Sequence, residues 1–74
     1  MALNLAYNYA EIDPDSKMCI GVQTTSGEYD LSDPAFANLV EIPVYDPEYV
    51  LKYYIDGNWY EDPDGTIPWT SSLL

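Results

Sequence analysis

The side chains able to do chemistry in this sequence are thirteen carboxylates, two lysines and one cysteine, with no histidine at all. Without histidine there is no Ser-His-Asp or Cys-His pair to activate a nucleophile. A lone cysteine without histidine cannot assemble an ordinary zinc site. The four glycines stand isolated at positions 21, 27, 57 and 65, so there is no glycine-rich phosphate loop. Paired carboxylates can serve as an acid and a base, but thirteen of them in 74 residues fall near one another by density alone. Calcium is the remaining ion to weigh, because Asp13-Pro14-Asp15-Ser16 and Asp62-Pro63-Asp64-Gly65-Thr66 each alternate two carboxylates along a turn. An EF-hand loop also needs a glutamate at its twelfth position, and counted from Asp62 that position holds Leu73. Both segments therefore read as Asp-rich turns. The expectation is a protein that binds or assembles and is not an enzyme, with no catalytic residues, no metal and no cofactor.

The formal net charge of −11 constrains the partner. Such a surface repels nucleic-acid phosphates and anionic lipid and attracts basic protein surfaces through a field that salt screens. A protein partner is expected, with no direct contact to nucleic acid or membrane. Acidity alone would suggest disorder, but 47% of the residues are hydrophobic, among them eight tyrosines, two tryptophans and a phenylalanine. That is ample material for one core, and the length allows no second. Cys19 is the only cysteine, so no internal disulfide supports the core. A small core without staples favours a partner subunit, so a monomer or a small homo-oligomer is expected. The amino terminus lacks the basic start and unbroken apolar stretch of a signal peptide, which points to the cytosol.

The elements that must position these side chains are cut out by Asp-Pro pairs at 13/14, 33/34, 46/47 and 62/63. Proline disfavours helix in the residue before it, and aspartate accepts local backbone hydrogen bonds, so each pair marks a turn or a helix start. Between them, Leu3, Leu5, Tyr7 and Tyr9 alternate with Asn4, Ala6, Asn8 and Ala10, which predicts a half-buried strand. After a turn over Asp13 to Lys17, Met18, Ile20 and Val22 form the apolar face of a second strand pairing antiparallel with the first. Ser32-Asp33-Pro34 caps a helical turn over Ala35 to Asn38. Leu39 to Tyr45 reads as a third strand at a sheet edge, since Pro43 cannot donate to a ladder. Asp46-Pro47 starts a second helical turn. Asp56-Gly57 joins Tyr53–Ile55 to Asn58–Tyr60 in a tight hairpin. The fold class is mainly β: a small single domain of four to five short antiparallel strands in hairpins, with one or two helical turns at most. The domain spans residues 1–65, and 66–74 is an extended C-terminal tail.

Tyr7, Tyr9, Tyr53 and Trp59 occupy positions where strand pairing buries them. Tyr45, Tyr49, Tyr54, Tyr60 and Trp69 are harder to enclose in so small a core, and serve either the core edge or a protein interface. Tyr54, Tyr60 and Trp69, near the second hairpin and the tail, are the candidate partner-binding anchors, with Glu61, Asp62 and Asp64 as the acidic group beside them. Carboxylates held on a rigid sheet could also imitate phosphates and occupy a basic groove; the alternative is a solvated acidic face. Glu28, Asp30, Glu41, Asp46, Glu48 and Asp56 are spread along the chain and decide neither way.

Ile42-Pro43-Val44-Tyr45-Asp46, the run Lys52-Tyr53-Tyr54-Ile55-Asp56-Gly57-Asn58-Trp59-Tyr60-Glu61-Asp62 and Gly65-Thr66-Ile67-Pro68-Trp69-Thr70 give the chain its one family resemblance. Together with the opening strand, Asp turn and second strand ending Cys19-Ile20-Gly21-Val22, it resembles short proteins encoded among bacteriophage tail and fibre genes. The resemblance implies a phage product: a virion or tail accessory or adaptor that docks on a larger virion protein, made in the host cytoplasm and carried in the virion. It brings no catalytic residues. The acidity departs from that group's pattern and keeps open an alternative, an acidic inhibitor of a basic host protein.

Overall fold

The structure, a computed structural model, describes residues 6–74, so the expected strand positions Leu3 and Leu5 lie outside the described residues. Five short strands follow in chain order: β1 (Tyr7–Ile12), β2 (Cys19–Thr25), β3 (Leu39–Ile42), β4 (Tyr53–Ile55) and β5 (Asn58–Tyr60). All pairings are antiparallel, in one sheet of order β2-β1-β3 and a second of β4-β5. Among the described residues the only helical pieces are single 3-10 turns at Pro34–Phe36 and Pro47–Tyr49. The mainly β fold class expected from the sequence is what forms.

The Asp-Pro pairs act through one device. Asp33 and Asp46 each accept the amide two residues on, at 2.9 Å, and so start the two 3-10 turns with proline at the first position. Asp13 accepts the Asp15 amide and the Ser16 hydroxyl, closing the β1–β2 turn. Asp62 accepts the Thr66 and Ile67 amides and the Thr66 hydroxyl in the turn after β5. In the β4–β5 hairpin Asp56 (φ 51) and Gly57 (φ 84) both adopt left-handed backbone, as a two-residue turn that follows the strand twist requires.

β2 departs from the simple alternation. Glu11 pairs Gly21 and Ile12 pairs Cys19, so Ile20 is an extra residue, a bulge. The phase of the strand changes there. Cys19 takes the core position, and Ile20, expected on the apolar face with Met18 and Val22, is 50% exposed. The cause lies at a distance: the Cys19 amide and carbonyl bond Lys52 and Leu51, at 2.7 and 2.8 Å, which ties the start of β2 to the approach of β4. A Tyr54 amide bond to the Lys17 carbonyl (2.9 Å) and a bridge between Met18 and Tyr53 continue the connection. Leu51 is held at φ 77, a left-handed conformation that a branched side chain rarely adopts, and stays 63% exposed.

The core lies between the sheets. Ala10, Ile12, Cys19, Ile42 and Tyr49 are buried together, with Val22, Val40, Val44, Val50, Tyr54, Trp59 and Trp69 packed around them. On β1 this core side is Ala10 and Ile12, the face expected to be the more polar, while Tyr9 on the opposite face stacks on Tyr29, which in turn stacks on Phe36. β1 therefore buries a residue on each face, although Glu11 on the outer face stays exposed. β3 is an edge strand as expected, and it ends at Ile42, three residues before Tyr45, because Pro43 follows.

Residues 66–74 are extended but do not hang free. The Glu61 amide bonds the Ile67 carbonyl (2.8 Å) and the Trp69 amide bonds the Trp59 carbonyl (3.0 Å), so the segment runs antiparallel along β5 and bridges Tyr60 at Pro68. Farther on, buried Ser71 donates its hydroxyl to the buried Asp46 carboxylate. The domain boundary expected at residue 65 therefore has no structural counterpart: the segment after it completes the core.

Candidate docking site

Trp69, expected as an exposed anchor, packs its ring edge-on against Tyr49 with centroids 4.9 Å apart. Trp59 meets the same tyrosine at 4.8 Å, so Tyr49 is held between two tryptophans and is only 2% exposed. Burial, with the Asp46 carboxylate nearby as a smaller cause, raises the Tyr49 phenol above its ordinary range. The Lys52 ammonium lies 5.2 Å from the centroid of the Trp69 ring, a cation–π contact that satisfies one of the two lysines internally. Tyr54, opposite Trp59 across the hairpin, tilts against that ring at 5.0 Å and is half-buried. Tyr60 is opposite Tyr53, and its ring, with the Ile55 side chain, occupies the space that a Cβ at Gly65 would enter, where φ is 70. Tyr54 and Trp69 thus belong to the edge of the core, while Tyr60 is half-buried beside the turn that follows β5.

The acidic candidates divide. Glu61 and Asp64 are exposed. The Asp62 carboxylate is occupied by Thr66 and Ile67, and the Thr66 hydroxyl bond, the largest cause, holds it below the usual carboxylate range. Tyr60, Glu61, Asp62 and Asp64 come together at one turn, whereas Tyr54 and Trp69 face the Trp59 and Tyr49 rings. Among the exposed aromatics proposed for either role, Tyr45 is 48% exposed and remains free to make contacts.

A grouping that the sequence leaves scattered forms on the outer face of the β2-β1-β3 sheet. Glu28, Asp30 and Glu41 line a cleft of about 500 Å³ with Tyr9, Tyr29 and Leu31, and no basic residue lines it. Glu41 is opposite Tyr9 in the register, and the loop after β2 is anchored by the Tyr29 amide, which donates to the Tyr9 hydroxyl at 2.9 Å. Tyr29 is stacked on both sides, by Tyr9 at 5.0 Å and by Phe36 at 4.4 Å, so its ring faces are closed to a ligand. What the cleft offers is carboxylate oxygen around an apolar floor. Hydrogen bonds from the Ser32 hydroxyl and amide lower the Asp30 pKa and keep it charged. The Glu28-Tyr29-Asp30 triplet was the available signal for this site, two acids flanking an aromatic, but its meeting with Glu41 depends on how the loop folds over the sheet.

Among the described residues no group of three or more His, Cys, Asp or Glu side chains is arranged to hold a metal ion. The Cys19 thiol is buried, donates to the Gly21 carbonyl, and is pushed up by desolvation, which keeps it a poor nucleophile. No helix is long and apolar enough to cross a membrane among those residues. Comparisons with protein-family models, with curated proteins and with solved structures found no match to this chain.

Proposed function

We propose that this chain is a non-enzymatic accessory or adaptor that docks on a larger protein, in the phage tail setting implied by the resemblance described above. The observation that supports docking is the cleft that Glu28, Asp30 and Glu41 line together, with no basic residue of the chain's own in its lining. A lysine or arginine from a partner supplies the missing charge, and the surrounding acidic surface steers the encounter. The anchoring role shifts accordingly from Trp69 and Tyr54, which the core employs, to carboxylates on the outer face.

The inhibitor reading, an acidic protein covering a basic surface of a host protein, draws on the same cleft and on the net charge. Mass spectrometry of purified particles separates the two. In the adaptor reading the chain is present at a fixed ratio to a tail protein. An E28Q/D30N/E41Q variant is then depleted from particles, while D15N/E61Q/D64N, which removes equal charge elsewhere, is retained. Absence of the wild-type chain from particles refutes the adaptor role. Equal depletion of both variants refutes the cleft as the docking site.

A further inference from the structure

β2 is an edge strand whose outer side the chain uses only in part. The Ile12 amide donates to Asn38 on the β3 side (2.8 Å), and backbone direction alternates along a strand, so Asn8, Ala10 and Ile12 turn their peptide groups toward β3. Their partners on β2 across the non-hydrogen-bonded pairs, Thr24, Val22 and Cys19, turn theirs away from β1. At Cys19 those outward groups are taken by Leu51 and Lys52. At Val22 and Thr24 they have no backbone partner among the described residues.

The other edges are guarded. β3 carries Glu41 and stops at Pro43, and β5 is covered by residues 67–69. β2, reading CIGVQTT, has no charge and no proline. Natural edge strands usually carry one or the other, or a bulge; here the bulge falls at Ile20, before the open stretch. At that same corner Ile20 and Leu51 are both exposed, one put out by the bulge and the other by its left-handed backbone, and the Leu51 amide bonds the peptide group that joins Cys19 to Ile20. In strand addition the main-chain hydrogen bonds of an open ladder give affinity and side-chain contacts beside it give specificity, and Ile20 and Leu51 offer such contacts at the corner of this edge.

We infer that the outer edge of β2, from Ile20 to Thr25 with Leu51 at its corner, receives an extended, lysine- or arginine-bearing segment of the partner protein as an added strand. The charge chooses the occupant. A chain of net charge −11 attracts a cationic strand, whereas a second copy brings the same net charge to the contact and is repelled. The inference rests on the docking reading above and extends it, because the cleft supplies charge and the edge supplies main-chain hydrogen bonds.

The test titrates the full-length, isotope-labelled chain with a short synthetic peptide of alternating lysine and valine, reading backbone amide shifts and amide exchange by nuclear magnetic resonance. Shifts are expected along Ile20 to Thr25 and at Leu51, with exchange slowed at Val22 and Thr24. Methylating alternate peptide nitrogens should weaken binding by about tenfold or more, since it removes ladder donors but no charge. Gln23→Lys, a guard on an exposed side chain, should do the same without moving the melting temperature. Shifts that cluster at Glu28, Asp30 and Glu41 and ignore methylation overturn the edge inference while leaving the docking reading intact. Edge binding that survives E28Q/D30N/E41Q unchanged supports the edge and counts against the cleft. Slow exchange at Val22 and Thr24 in the free dilute protein shows that the edge is already covered, and protection that grows with protein concentration alone shows a second copy on it; either result overturns the inference, as does absence of binding.

Discussion

Ser71→Ala is the sharpest probe of the fold, because one hydroxyl joins the last segment to the start of the second 3-10 turn. Ser71 donates to Asp46 Oδ2 and accepts the Leu73 amide at 3.1 Å, while Asp46 Oδ1 accepts the Glu48 amide at 2.9 Å. Both side chains are nearly inaccessible, at 4% and 3% exposure. Removing the hydroxyl leaves a buried carboxylate oxygen without its donor, and hydrogen bonds to charged groups contribute about 1.5–3 kcal/mol. A chain of this size has a total stability of about 4–11 kcal/mol, so a loss near 2 kcal/mol is a large fraction of it. At about 4–8 °C per kcal/mol for a domain this small, the melting temperature should fall by about 8–16 °C. Near-ultraviolet circular dichroism is the assay, since Trp59 and Trp69 both report on packing around Tyr49. Ser72→Ala, one residue on and exposed, is the control. In a double-mutant cycle with Asp46→Asn, the coupling between the two sites should carry most of the loss. A Ser71→Ala melting temperature within about 2 °C of wild type would refute the Ser71–Asp46 bond as a support of the fold and leave the backbone bonds of Ile67 and Trp69 as what holds the last segment.

Gly57→Val should cost about 1–2 kcal/mol by urea unfolding, since open space surrounds the position but φ is 84. Leu51→Asn should raise stability slightly, by up to about 1 kcal/mol, because asparagine tolerates left-handed backbone and little packing is lost at an exposed site; a clear loss would mean that Leu51 has packing partners in solution. Asp62 has a depressed folded-state pKa, so the stability it contributes is fully present above the ordinary carboxylate range and disappears as pH falls through its lower folded value. The melting temperatures of wild type and Asp62→Asn should therefore differ at neutral pH and converge in strong acid, and a constant gap would count against the Thr66 and Ile67 contacts.

What the sequence made legible was local. Asp56-Gly57 dictates its turn through two residues needing positive φ, and the Asp-Pro pairs dictate their caps through one side chain reaching one nearby amide. What it hid was set at long range. Ile20 fits an apolar stripe until Leu51 and Lys52 claim Cys19 and change the phase of the strand. Tyr49 and Trp69 look like surplus aromatics until residues 67–71 fold back and enclose them, a path that Pro68 and the small polar residues around it give no reason to expect. The cleft was invisible for the same reason: Glu28 and Asp30 meet Glu41 only because Tyr29 docks on Tyr9, across twenty positions of chain.

The late position of Trp69 and Ser71 has a bearing on synthesis. A ribosome delivers β1, β2 and β3 first, and with them the apolar side of a three-stranded sheet whose cover is not yet made. Tyr49 follows, but the tryptophan and hydroxyl that seal it and Asp46 arrive only with residues 69–71. During that interval the nascent chain holds an uncovered apolar face and an unguarded β2 edge together. The carboxylates Glu11, Glu28, Asp30 and Glu41 precede residues 69–71 in the chain, so the negative charge that opposes close approach of like chains is present before the core can close.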